Sequence, residues 1–260
     1  MPAPTSPTRL PGDWPAVLYV VRHGESSGNV ARDAAEAEGL ERIDIAERDM
    51  DVPLSETGLD QAAALGRWWG AQPADEQPSV VWTSPYVRAR QTAERMLEAA
   101  GLDVPIVVDE RLREREFGAL DGLTRKGIVA QFPDESERRT RLGKFYHRPP
   151  GGESWADVLL RLRAALDSLR HDAAGERVAL VGHQVVVLLV RYVLEGMTEK
   201  DVLEVDRQAE VANCSLTTYR YDSSVGVHGG LRLDTYNEVG HLQEQSEEVT
   251  AEPDVPGAPR

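Results

Sequence analysis

Two histidines follow short apolar runs in this chain. One lies in Val20-Val21-Arg22-His23-Gly24-Glu25-Ser26 and the other in Leu180-Val181-Gly182-His183-Gln184. If both runs are neighbouring strands of a parallel sheet, an Arg-His pair and a Gly-His pair meet at its carboxyl edge, where open α/β folds bind ligands. Two imidazoles and a guanidinium at one point suit a phosphoryl group. The guanidinium gives a forked donor to the phosphoryl oxygens that is charged at every working pH, and a neutral imidazole is a nucleophile near neutrality.

The first motif, with Asn29 three residues beyond Ser26, resembles the signature of the histidine phosphatase superfamily, which includes the cofactor-dependent phosphoglycerate mutases. That resemblance implies that His23 becomes phosphorylated, with Arg22 and Asn29 on the phosphate and Glu25 orienting a neighbour. Trp82-Thr83-Ser84-Pro85-Tyr86-Val87-Arg88-Ala89-Arg90-Gln91-Thr92 is similar to the segment carrying a second phosphate-binding arginine, a role that falls on Arg88 rather than Arg90. Leu112-Arg113-Glu114-Arg115-Glu116-Phe117-Gly118 resembles the segment with the proton donor, which falls on Glu114, although such a charge run also suits a solvated surface. Gly182-His183 matches the second histidine, and Gln184 beside it is a further substrate contact. In order and spacing these segments span roughly residues 16–190.

The elements that must position these residues alternate. Residues 16–21, 79–82, 105–108 and 177–181 are short apolar, β-branched runs, and 216–221 and 231–236 read as late strands around a Gly-rich turn. Ser55 caps a helix running to about Gly70, and Ser84 before Pro85 reads as another helix start. Ser154 with Asp157 forms a capping box ahead of Val158, Leu159, Leu162, Ala165, Leu166 and Leu169, one apolar face at helical spacing. This is an α/β pattern. The expected architecture is a three-layer sandwich, a mostly parallel sheet flanked by helices, as the resemblance also implies. The domain spans residues 16–242, with 1–15 a flexible, proline-rich segment and 243–260 a disordered acidic tail.

Two stretches fall outside the alternation. Residues 31–51 are polar, acidic and too long for an ordinary connection, and are placed over the site mouth. Residues 124–152 carry Arg138, Arg139, Lys144, Phe145, Tyr146, His147 and Arg148, and read either as a charged surface helix or as a lid meeting the non-reacting part of a substrate. Lys144 to Val158, taken with His183-Gln184, is similar to the bisphosphatase half of the bifunctional fructose-2,6-bisphosphate enzyme and to related small phosphatases, whereas the mutases usually have glycine at the Gln184 position. Gly28 likewise stands where mutases commonly have tryptophan. No phosphate-cradling Gly-x-x-x-x-Gly-Lys-Ser/Thr loop accompanies it.

Composition narrows the partners. The chain has 260 residues, with 29 Lys and Arg against 44 Asp and Glu, a net charge of −15. Nucleic acid and anionic membrane are therefore not expected. A single cysteine, Cys214, excludes an internal disulfide and a multi-cysteine zinc site, and is expected to pack as a small apolar residue. No signal-like or membrane-length apolar run occurs, so the expected location is cytoplasmic. The expected activity is a metal-independent phosphatase for small phosphorylated molecules, needing no cofactor, with a homodimer as one assembly. A phosphoglycerate mutase is the alternative, and a non-catalytic phospho-ligand binder is a third possibility.

Overall fold

A computed structural model describes residues 14–251. The chain runs β1 (Val17–Arg22), α1 (Ser27–Ala37), α2 (Glu56–Gly70), β2 (Val80–Thr83), α3 (Val87–Ala100), β3 (Ile106–Val108), α4 (Arg125–Gln131), α5 (Pro133–Tyr146), α6 (Trp155–Asp172), β4 (Arg177–Gly182), α7 (Gln184–Leu194), α8 (Glu199–Gln208), β5 (Leu216–Asp222), β6 (Gly230–Glu238) and α9 (Gly240–Gln243). The six strands form one sheet in the order β3-β2-β4-β1-β5-β6. The pairs β1–β4, β2–β4 and β2–β3 are parallel, and β1–β5 and β5–β6 antiparallel. The expected mixed but mostly parallel sheet between helical layers is what the chain forms.

The core sits on both faces. Along β1, Leu18 and Val20 join the cluster built with α6 and α7, while Val17, Tyr19 and Val21 join α2 and α3 on the other side. A strand buried on both faces reads as a continuous apolar run, which is why the sequence around His23 lacks alternation. Each fully buried Val or Leu contributes roughly 1.5–3 kcal/mol. The α6 face named from the sequence, from Val158 to Leu169, is buried, and Ser154 and Asp157 make the expected capping box.

Several boundaries differ from the sequence reading. The Ser84-Pro85 helix start lies two residues early: α3 begins at Val87 with Tyr86 as its cap, and the Ser84 hydroxyl is used elsewhere. Residues 31–37 belong to α1, so the irregular segment is shorter, running to a single 3-10 turn at Asp49–Asp51. The segment beyond Gln243 was expected to be disordered, yet it continues as a packed strap to residue 251. Arg67 binds Gln245 and Glu247, and Gln245 donates to the Ala64 carbonyl, both on α2. Its few apolar residues hid this, because the strap is held by hydrogen bonds to polar groups of α2 rather than by burial of its own. At the other end Trp14 packs against the core. Residues 1–13 and 252–260 lie outside the described part.

Candidate active site

The β1–β4 register pairs Arg22 with Gly182, so His23 and His183 leave adjacent strand ends side by side. His23 N donates to the Gly182 carbonyl (2.9 Å), and the two ring centroids are 5.1 Å apart. From the end of β2, Ser84 Oγ lies 2.9 Å from His183 Nε2, and Tyr86 stacks edge-on against the same ring. Arg88, in the first turn of α3, directs Nε at His23 Nε2 (3.3 Å). Glu114 arrives on the loop after β3, its Oε2 3.4 Å from His183 Nδ1. His23, His183, Arg22, Arg88 and Gln184 are all buried.

The close approach depends on glycine. A Cβ at Gly24 would lie 2.5 Å from the Gly58 carbonyl oxygen, and one at Gly58 would lie 2.0 Å from that of Glu25. Only paired glycines let the start of α2 press against the loop carrying His23. Glu25 is held there by the Ser55 hydroxyl (2.6 Å), so it anchors the loop to the N-cap of α2.

Electrostatics keep both imidazoles neutral. Burial, then the charges of Arg88 and Arg22, hold His23 well below the usual histidine range. Burial, Arg88 and His23 do the same to His183. The Gly24 carbonyl lies 2.7 Å from His23 Nδ1, and because a carbonyl can only accept, the ring proton sits on Nδ1 and the Nε2 lone pair faces the site. Further positive potential comes from the N-terminus of α7, which starts at Gln184.

Above this floor opens a cavity of about 250 Å³. Arg22, His23, Arg88, Glu114, Asn29 and Gln184 line it. Asn29 Oδ1 accepts from the Ser26 backbone and hydroxyl in the α1 capping box, leaving its NH2 as the remaining donor. Gln184 Nε2 is 3.5 Å from Asp206, and its carbonyl oxygen makes no hydrogen bond. The walls are Arg32 on α1, Arg42, Ile43, Ile45 and Val52 from the segment before α2, and Phe117, Asp121 and Gly122 after Glu114. These two stretches are stitched together, Ile43 N to Gly122 O and Thr124 N to Glu41 O. The segment expected over the mouth does lie there. Gly28 leaves the room it occupies: a Cβ on Gly28 would lie 3.2 Å from Val52 and 3.6 Å from Ile45.

The second expected lid is placed differently. Among the described residues, none from 124–152 lines the cavity. Lys144 pairs with Asp206, His147 with Glu135, Arg148 with Asp157 and Arg138 with Glu135, while Phe145 and Arg139 are buried. The likeness of this stretch to the bisphosphatase half therefore brings no substrate contact. Its charges fasten α5 to α6 and α8.

Of the two acids in the charge run, Glu114 reaches the cavity, whereas Glu116 is exposed and accepts from the Tyr86 hydroxyl (3.1 Å). Arg88 is buried in the site and Arg90 is exposed. Sequence reasoning missed Ser84, and it missed the clamp behind Glu114. Arg161 on α6 donates to the carbonyls of Arg111, Arg113 and Glu114 (2.7, 2.8 and 3.0 Å) and to both oxygens of Glu153. Burial alone would raise the Glu153 pKa, but the bonds and charge of Arg161 outweigh it and lower it. Only Glu153 was visible beforehand, in Gly-Gly-Glu-Ser. Cys214 is buried as expected, its thiol pushed up by burial.

The family model of the histidine phosphatase superfamily, branch 1, matches residues 18–232. The probable phosphoglycerate mutase GpmB of Photorhabdus laumondii is 30% identical over 227 residues, covering 86% of this chain and 94% of that protein, and that of Yersinia pestis gives the same figures. The chain belongs to the histidine phosphatase superfamily. Among solved structures, a mycobacterial glucosyl-3-phosphoglycerate phosphatase in complex with VO3 is similar at 27% identity, with a TM-score of 0.65 over 86% of this chain and all of that one. Bacillus stearothermophilus YhfR gives 26% identity and a TM-score of 0.69 over 87% of this chain and 98% of that one.

Proposed function

We propose that the protein is a metal-independent phosphatase that hydrolyses small phosphomonoesters through a phosphohistidine on His23. The observation that carries this reading is the orientation of one ring: Nδ1–H is committed to the Gly24 carbonyl, so Nε2 is the nucleophile, directed at Arg88. In the first step the Nε2 lone pair attacks phosphorus and the ester P–O bond breaks. Glu114 gives its proton to the leaving alkoxide. Arg22, Arg88 and His183, whose Nδ1 makes no hydrogen bond, take the charge spreading over the equatorial oxygens. In the second step Glu114, now a carboxylate, removes a proton from water, the oxygen attacks phosphorus and the P–N bond breaks.

His23, Glu114 and His183 bring one donor atom each within 4.8 Å of one another, a spacing open to a metal ion. The Arg88 guanidinium disfavours one, because it donates into the same Nε2 lone pair and repels a cation; it favours an anion there. A mutase is the second reading, supported by the names of the GpmB relatives. Against it, Arg138 and Arg139, the residues compared with a mutase carboxylate site, stand away from the cavity. The cytoplasm is the proposed location, and no helix of the described residues is long and apolar enough to cross a membrane.

The test is incubation, with a chelator, on 3-phosphoglycerate with and without 2,3-bisphosphoglycerate and on sugar phosphates, following free phosphate and 2-phosphoglycerate together. Free phosphate without isomerisation, together with an acid-labile phosphoenzyme that His23→Ala abolishes, is the expected result. Isomerisation faster than release would make the protein a mutase. Ligand binding with no release in either form would make it a binding protein.

A further inference from the structure

The strap beyond α9 crosses α2 and ends behind the His23 loop, where one hydroxyl joins two buried carboxamides. Thr250 Oγ1 accepts from Gln61 Nε2 (3.0 Å) and donates to Asn213 Oδ1 (3.0 Å). Asn213 N in turn donates to the Thr250 carbonyl (2.9 Å), and Gln61 Nε2 also reaches the Glu248 carbonyl (2.9 Å). The other ends of both carboxamides hold the catalytic loop. Gln61 Oε1 accepts from Glu25 N (2.9 Å), and Asn213 Nδ2 donates to the His23 carbonyl (3.0 Å). These two bonds grip the backbone on either side of Gly24. The Gly24 carbonyl accepts the proton of His23 Nδ1 and, together with Arg88 Nε–H on Nε2, sets the tautomer of the ring.

We infer that Thr250 is a positioning residue for the nucleophile, acting through Gln61 and Asn213 to fix the Gly24 peptide and with it the tautomer of His23. Three features support the assignment. Gln61 and Asn213 are fully buried, so neither amide can exchange a lost partner for solvent at no cost. A carboxamide can flip, exchanging oxygen for nitrogen; the Glu248 and His23 carbonyls, which only accept, set the NH2 ends of Gln61 and Asn213, and the Thr250 hydroxyl couples the two amides by accepting from Gln61 Nε2 and donating to Asn213 Oδ1. With Gln61 so oriented, its oxygen faces the Glu25 N–H; reversed, two donors would meet. The backbone here is also held in an unfavourable state, since Cys214 next to Asn213 has φ 51°, and its N–H is spent on the Arg22 carbonyl (3.0 Å). His241 on α9, just before the strap, secures the Cys214 carbonyl (2.9 Å).

The consequence for rate rests on the phosphohistidine reading, whereas the consequence for the tautomer does not. The experiment compares Thr250→Val and Thr250→Ser with the parent in the full chain. Histidine ring 15N correlation spectra, assigned with His23→Ala, report the tautomer, and rapid quench reports phosphoenzyme formation. Thr250→Val is expected to mix the His23 tautomers and slow phosphoenzyme formation about tenfold with KM within twofold. Thr250→Ser, which restores the hydroxyl, should return both to parental values. A Thr250→Val spectrum with the parental Nδ1–H tautomer overturns the inference, whatever the rate; so does a slow Thr250→Val whose defect Thr250→Ser does not repair. A parent that forms no phosphoenzyme overturns the proposed function alone, because the spectra still decide the role of Thr250. Should Thr250→Val fail to fold, Gln61→Glu supplies the same readout: it keeps the acceptor for Glu25 N and loses the amide donor to Thr250. A parental tautomer in that variant also overturns the inference.

Discussion

At the scale of residues the division of labour follows from what each side chain can give. His23 has one ring nitrogen tied to a carbonyl and one left for phosphorus, while Glu114 lies beside His183 at the cavity edge, positioned to deliver a proton to the oxygen that departs. If that is its role, Glu114→Gln should slow alkyl phosphates, whose leaving groups need protonation, by 10²–10⁴-fold, within the range usual for general acids. Activated aryl phosphates should lose far less in the phosphorylation step. Pre-steady-state rates on the two ester classes check this, and equal losses on both would remove Glu114 from the acid role. Arg22, His23, Gly24 and His183 were legible in the sequence because each directly follows a strand whose apolar run is visible. Ser84 and Arg161 were not, because a hydroxyl or a guanidinium carries no local mark of what it will meet across 99 or 47 residues.

Among the elements, α6 does more than cover the sheet. Its Arg161 reaches three carbonyls, of Arg111, Arg113 and Glu114, in the segment that carries Glu114 and closes on Glu153, with both side chains largely buried. Arg161→Met keeps much of the aliphatic bulk but leaves Glu153 with a reduced set of partners. The loss is expected to be about 3 kcal/mol, at the lower end for breaking a buried pair because Arg113 still contacts Glu153. Urea unfolding checks the loss. The kcat should also fall in the activity assay, since the Glu114 loop is released from α6. An unchanged urea midpoint would show that the clamp contributes nothing. The capping residues of α2 and α6 announced those helices, whereas the 124–152 stretch misled because its basic and aromatic residues suit a lid as well as they suit the ion pairs that they make.

For the whole molecule, the buried histidines link stability to pH. Burial lowers His241 to about 4, against the smaller raising effect of its bond to the Cys214 carbonyl, and His23, His183 and His147 shift in the same direction. The unfolded chain then binds more protons than the folded one below about pH 6.5, so the stability these groups contribute is complete above that pH and is lost as pH falls toward 4. His241 alone accounts for roughly 3 kcal/mol across that window. The urea midpoint should therefore fall steeply between pH 7.5 and 4.5. The fall should be shallower in His241→Gln, and an equal fall in both would show that His241 does not titrate with unfolding. The cavity lining mixes Arg22, Arg32, Arg42 and Arg88 with Glu47, Asp49, Glu114 and Asp121, so its attraction for an anion rests on where the guanidinium groups stand and not on an excess of arginine.

The sequence by itself determined the mostly parallel sheet and the strand ends that carry both histidines, because these depend on contiguous apolar runs, while its resemblance to the family supplied the choice of Arg88 over Arg90. Tertiary structure decided which of the two irregular stretches forms the cavity wall, and that the acidic strap reaches the back of the nucleophile. Those outcomes depend on hydrogen bonds between distant polar groups. Such bonds are selected by which partners remain buried and unsatisfied once the core has closed, and no local pattern records them.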